Sequence, residues 1–173
     1  MSEGLLFAPA PPSRLVRVMT WSSVIALVGG LVAVQVAAVH DPRAWWTLAL
    51  VVGIVGGTFA GCWAYVPKGY LLTEEAVVIL RQWVKPVVIP LAALRDARPI
   101  SLPQRAVRLC GNGGLFMFAG LFSSKELGRF YMSARDLKRL VLLEGETIRS
   151  WVIAPEEVER FVEEVGQRLR RGQ

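Results

Sequence analysis

The sequence predicts a chain in two parts: a membrane α-helical hairpin of two transmembrane helices, then a mainly-β barrel or sheet of about seven antiparallel strands with a C-terminal helix. Three observations predict it. Two apolar runs, 18–39 and 44–66, are each long enough to cross a bilayer and are separated only by His40-Asp41-Pro42-Arg43. Beyond Pro67 the pattern changes to short runs of Val, Ile, Leu and aromatics broken by turn residues. The chain then ends in apolar residues at helical spacing. A hydrophobic fraction of 53% and a mean hydropathy of +0.42 are high for a soluble domain, and the excess lies before Pro67.

Residues 1–13, with Pro9, Pro11 and Pro12, predict a flexible tail, and the hairpin occupies 14–67. The first run has no charge, and Gln35 is its one strongly polar side chain. At 1.5 Å rise per residue, about 22 residues match the hydrocarbon thickness, and lipid leaves the backbone no partner but itself, so a helix results. The rival is a cleaved signal peptide ending at Val36-Ala37-Ala38, although its apolar core would exceed the usual length of roughly 7 to 15 residues. Arg14, Arg17 and Trp21 stand at headgroup depth at its start. The second run opens with Trp45-Trp46 and closes with Trp63 and Tyr65, followed by Lys68, the aromatic belt of a spanning helix. A four-residue link with Asp41 and Pro42 permits only a tight turn, so the helices are antiparallel neighbours.

Small residues recur every four positions in both helices, at Gly29, Ala33 and Ala37 and at Gly53, Gly57 and Gly61. Lipid supplies no hydrophobic drive for association, so close backbone approach along such stripes is what brings helices together. Two uses stay open: packing inside the hairpin, or self-association of the chain. Lys and Arg flank the hairpin at Arg14, Arg17, Lys68, Arg81 and Lys85, whereas the turn has only Arg43. The positive-inside bias therefore puts both termini in the cytoplasm.

From 68 to 173 the pattern reads as one domain. Strands are expected at 70–73 and 76–83 around Glu74-Glu75, at 87–91, 94–100 and 107–110, and at 128–133, 139–143 and 147–153. Residues 115–122 read as strand or apolar loop. Glu144-Gly145-Glu146 has the glycine a short hairpin needs. A helix over about 155–170 starts at Pro155 with Glu156 and Glu157 at its positive end. Val158, Phe161, Val162, Val165 and Leu169 give it one buried face, and Arg168, Arg170 and Arg171 complement its negative end.

Chemistry is narrowed mainly by what is missing. The 20 Lys and Arg against 14 Asp and Glu give a formal charge of +6, without the basic runs or zinc spacing that would indicate nucleic acid. In a membrane chain that balance reflects anionic headgroups. Cys62 lies in the second apolar run and Cys110 in the polar half, so both read as free thiols. The run Gly111-Asn112-Gly113-Gly114 is followed by Leu-Phe-Met-Phe, not by the Gly-Lys-Ser/Thr of a phosphate loop; it reads as a positive-φ turn or a close backbone approach. The one histidine, His40, sits at the outer end of the hairpin, away from any Ser or Cys of the polar domain, and zinc lacks ligands for the same reason. Paired carboxylates at Glu74-Glu75, Glu156-Glu157 and Glu163-Glu164 are solvated turns and faces. No catalytic, metal or cofactor residue is nominated, and no cofactor is expected. Arg81 and Lys85 around Trp83 are the candidate contacts for anionic lipid.

Tyr70-Leu71-Leu72-Thr73, Val77-Val78-Ile79, Ile89-Pro90-Leu91, Gly111 to Phe116, Gly120-Leu121-Phe122, Leu127 to Tyr131 and Val152 to Glu156 follow in order. This succession resembles bacterial pleckstrin-homology-like proteins that carry a membrane hairpin. The resemblance covers about 70–165 and implies a small antiparallel barrel with a C-terminal helix. Ala154 departs from it, since such proteins often place Ser before the Pro; a missing cap costs about 1 kcal/mol. The Lys-x-Lys/Arg-x-Arg loop of phosphoinositide-binding relatives is absent too. The expectation is a non-enzymatic, multi-pass protein of a bacterial inner membrane. Its domain would bind a protein or lipid partner at the inner face, and the alternative is a self-associating subunit of a membrane complex.

Overall fold

A computed structural model describes residues 4–38, 44–102 and 106–172. The hairpin consists of α1 (Arg14–Ala38) and α2 (Ala44–Ala64). Both hold stretches long and apolar enough to span a membrane, and only 6% and 11% of those stretches are buried, unlike the core helices of a soluble protein. Ser13 caps α1: its Oγ accepts from the Val16 N–H at 3.3 Å and its carbonyl from the Arg17 N–H at 3.0 Å. The predicted tight turn at His40 to Arg43 lies outside the described residues, as does the side chain of Ala37.

The two helices meet, but not through their small residues. Beyond Val16 and Ala64, which are buried at the domain end, the less exposed positions are Thr20, Val24, Leu27, Leu31 and Val34 on α1, and Leu48, Val51, Val55, Phe59 and Cys62 on α2. Steps of three and four residues put each set on one face. Gly29 and Ala33 lie on the opposite side of α1, and Gly53, Gly57 and Gly61 on the opposite side of α2. A Cβ built on any of these four glycines meets nothing within 4 Å. Packing of the hairpin through its glycine stripes is therefore corrected: branched and aromatic side chains fill the seam, and both stripes face outward.

The β region forms two sheets. In the first, β1 (Leu5–Phe7), β2 (Pro67–Leu72), β3 (Ala76–Arg81) and β4 (Val87–Pro90) pair in order. A single 3-10 turn at Leu91–Ala93 leads into the second. This holds β5 (Leu94–Ile100), β6 (Val107–Gly113), β7 (Phe118–Ser124), β8 (Gly128–Ala134), β9 (Leu140–Gly145) and β10 (Trp151–Ile153). Its order is β5-β9-β10-β8-β7-β6, and β10 runs parallel to β8. The helix α3 (Val158–Gly172) buries Val158, Phe161 and Val165 against Tyr70, Leu72, Ile79 and Leu143, which is the expected face. The fold class is thus as the sequence predicts, two apolar helices followed by a β region and a C-terminal helix.

Several local readings change. Residues 4–13 are built into the domain, not a flexible tail. Leu6 pairs with Leu71, Phe7 is buried, and the Ala10 N–H donates to the Ala154 carbonyl at 2.9 Å. Alternating apolar residues at Leu5 and Phe7 give this short edge strand a reason to dock that its flanking prolines disguise. This docking also delays α3. Pro155 bridges to Pro9 and the Glu156 N–H donates to the Ala8 carbonyl, so the helix begins at Val158, not at Pro155. Ala154 therefore has no cap to supply, and its N–H donates to the Tyr70 hydroxyl instead. Glu144 and Gly145 belong to β9, and the loop to β10 runs through 146–150, which shortens the strand expected at 147–153. Arg168 is turned inward and held between Glu164 at 2.9 Å and Glu74 at 3.5 Å, pinning the end of α3 to the β2–β3 turn.

Candidate functional site

The end of the hairpin next to the β region is where the two parts of the chain interlock. The glycine run predicted as a turn or close approach ends β6 at Gly113 and opens the β6–β7 loop at Gly114, and it is both. Gly114 has φ of 119°, and a Cβ there would stand 2.5 Å from the Met19 sulfur of α1. Phe116, at φ of 65°, donates its N–H to Thr20 Oγ1 at 3.0 Å. Its ring meets Phe59 and Trp63 of α2 edge-on, with centroids 5.9 and 5.2 Å apart. On the other side, the Trp83 N–H donates to the Ala64 carbonyl and the Gln82 N–H to the Val66 carbonyl. The β3–β4 turn thereby satisfies carbonyls that the end of α2 leaves free. The start of α1 is tied as well, by the Ser13 N–H to the Arg135 carbonyl.

Between these ties lies a cavity of about 480 Å³, within the usual range for small-molecule sites. Thr58, Gly61, Cys62 and Tyr65 form one wall and strands β6, β7, β8 and β10 the other. Within that second wall Gly111 and Gly120, at φ of 115° and 130°, let β6 and β7 approach so closely that a Cβ on either would strike the opposite backbone. Tyr131 and Trp151 stack with centroids 4.8 Å apart, because the parallel β8–β10 register puts them opposite each other.

Arg81 is the one charged residue of this lining. Its guanidinium lies 5.3 Å from the Tyr65 ring centroid, its Nε is buried without a hydrogen-bond partner, and it forms no ion pair among the described residues. Burial lowers its pKa, with Tyr65 opposing. Ser133 Oγ, also in the lining, is buried and unpaired. A mostly apolar cavity with a cation and a hydroxyl in need of partners can take an amphiphile with a negative head.

The other sequence-nominated residues are distributed around this junction. Arg14, Arg17 and Trp21 are exposed near the start of α1, Trp63 and Tyr65 lie at the end of α2, and Lys68 is exposed just beyond. Trp45 and Trp46 are exposed at the far end of α2. The grouping of Arg81, Trp83 and Lys85 is split: Arg81 lines the cavity, whereas Trp83, 70% exposed, and Lys85 project from the adjoining turn. Ser133, Tyr131, Trp151 and Met117 escaped the sequence reading. The pairing of β8 with β10 and the β6–β7 loop that holds Met117 assemble them, and no spacing along the chain signals it. Arg135, half-buried beside Arg17 and Trp21 in a smaller cavity of about 90 Å³, escaped it too.

Residues 68–169 match the family described as Bacterial PH domain, more than half of the chain. The chain belongs to that family. No curated protein and no solved structure matches it. A bacterial PH domain is a binding module, generally non-catalytic, and here it follows directly on two candidate membrane helices. The match starts at Lys68, so the wall that α2 contributes to the cavity lies outside the bacterial PH domain itself.

Proposed function

We propose that the chain is a membrane-anchored, non-enzymatic binding module whose hairpin holds the bacterial PH domain at the inner face of a bacterial membrane. The observation that carries this reading is the interlock of Phe116 with Thr20, Phe59 and Trp63. It makes the domain a fixed extension of the hairpin, not a body on a loose linker. The binding cavity then stands at the membrane surface, where tethering raises the effective concentration of any partner held there. Arg14, Arg17 and Lys68, all exposed on the domain side of the hairpin, support a cytoplasmic domain.

Cys110 is exposed and supplies the test. The chain should resist alkaline carbonate extraction. An impermeant maleimide should leave Cys110 unlabelled in intact cells and label it after permeabilisation; labelling of intact cells would sink the cytoplasmic assignment. A second reading, self-association, is favoured by the outward glycine stripes, which leave backbone open for close approach by another helix.

A further inference from the structure

The cavity beside Arg81 joins two surfaces that meet different surroundings. Thr58, Gly61 and Cys62 belong to the last two turns of a candidate membrane span, and the opposite wall is the sheet. A site begun by a spanning helix lies within reach of the bilayer's own molecules. Its lining is chiefly apolar, so it suits a hydrocarbon chain better than a free sugar or nucleotide. Its single charge is positive, and no carboxylate lines it. A half-buried guanidinium whose Nε lacks a partner, and which forms no ion pair among the described residues, is under-satisfied, and an anionic ligand is the partner that would complete it.

We propose that this cavity holds an anionic phospholipid from the inner leaflet, its phosphate on Arg81 and an acyl chain between α2 and the Tyr131–Trp151 stack. Ser133 Oγ, buried and unpaired, supplies a donor within the same lining. The site differs from general attraction of surface lysines to headgroups, because it needs cavity volume as well as charge. The inference rests on the membrane-anchored reading and names its ligand class.

Two substitutions separate charge from volume. Arg81→Gln removes the cation, with Arg81→Lys as the charge-retaining partner. Gly61→Trp fills the cavity. A Cβ at Gly61 meets nothing within 4 Å, so the new side chain starts into open space, and an unchanged circular dichroism spectrum checks that the variant folds. Gly53→Trp, on the same open stripe but outside the lining, is its control. The full chain is placed in nanodiscs of phosphatidylcholine with a minority of phosphatidylglycerol, and retained lipid is read by native mass spectrometry.

The expected result is one phosphatidylglycerol retained per chain, about tenfold less with Arg81→Gln, recovery with Arg81→Lys, loss with Gly61→Trp and no change with Gly53→Trp. Added inorganic phosphate should not displace the lipid. Equal retention of both lipids, displacement by phosphate alone, or retention unchanged by both Arg81→Gln and Gly61→Trp would overturn the proposal. Should the native chain hold no lipid yet co-purify a protein that Gly61→Trp releases, the lipid inference falls while the binding-module reading stands. Release of the chain by carbonate would remove the anchored reading itself.

Discussion

Tyr70→Phe tests how the two sheets are joined. Tyr70 is fully buried; its hydroxyl donates to the Ser133 carbonyl at 3.1 Å and accepts from the Ala154 N–H at 3.3 Å. One side chain of β2 thus holds β8 and the segment that follows β10. Phenylalanine keeps the ring and its contact with Phe161 but strands the Ala154 N–H where nothing replaces its partner. One buried donor left unpaired costs about 1–3 kcal/mol, and that loss is expected at neutral pH. Alkaline pH supplies a second, independent reading. Burial pushes the Tyr70 phenol well above its ordinary value of 10.0, against smaller opposing effects of the Ala154 N–H and Arg135. The folded chain therefore keeps a proton that the unfolded chain releases above about pH 10. This contribution is whole below that pH and is lost as pH rises, by about 1.4 kcal/mol per unit. The variant has no such group, so the gap between native and variant should hold steady up to about pH 9 and narrow by about 1.4 kcal/mol per unit above 10. Urea unfolding in mild detergent, followed by the sheet signal in circular dichroism, measures it. Equal stabilities at neutral pH, or two pH curves that run parallel through the alkaline range, would refute the reasoning.

Two other predictions concern the ends of the chain and the faces of the hairpin. Phe7 is 4% exposed and meets Phe161 edge-on at 5.0 Å, so Phe7→Ala should cost about 3 kcal/mol in the same unfolding assay; a change below about 0.5 kcal/mol would return residues 4–13 to the status of a tail. Gly57→Leu should leave the hairpin intact, because its stripe faces outward, and should abolish crosslinked dimers in membranes if the chain self-associates. An unchanged crosslinking pattern would remove the self-association reading.

Much of this fold is legible in the sequence because it rests on local periodicity. The two apolar helices show in the length of their unbroken runs, β3 and β4 in short Val- and Ile-rich runs, β8 in the alternation of Phe130, Met132 and Ala134, and the buried face of α3 in its helical spacing. What escapes is set by pairing between distant segments. Leu5 and Phe7 read as tail because their partner strand lies more than sixty residues on, from Tyr70 to Leu72. The parallel contact of β10 with β8 brings Trp151 over Tyr131, and no local signal distinguishes it from the antiparallel hairpin that also exists with β9. The seam of the hairpin is the instructive case. Glycine spacing shows where backbones can approach, but it does not say which face the partner occupies. The steps through Val24, Leu27, Leu31 and Val34 were equally present and carry more surface to bury.

That choice of face has a consequence for function. With the glycine stripes turned outward, Gly61 is free to line the cavity and not the seam, and Cys62 beside it reaches both. The same turn of α2 therefore closes the hairpin on one side and opens the site on the other. Phe116 fixes this arrangement from the domain side, and the β3–β4 turn fixes it again at Ala64 and Val66. Arg81 leads directly into that turn, so the cation of the cavity and the exposed Trp83 and Lys85 stand at a set height relative to the end of α2. A loose linker could not hold the half-buried Arg81 guanidinium over Tyr65, just beyond the end of α2. The rigidity of the junction is what makes one site out of two structural parts.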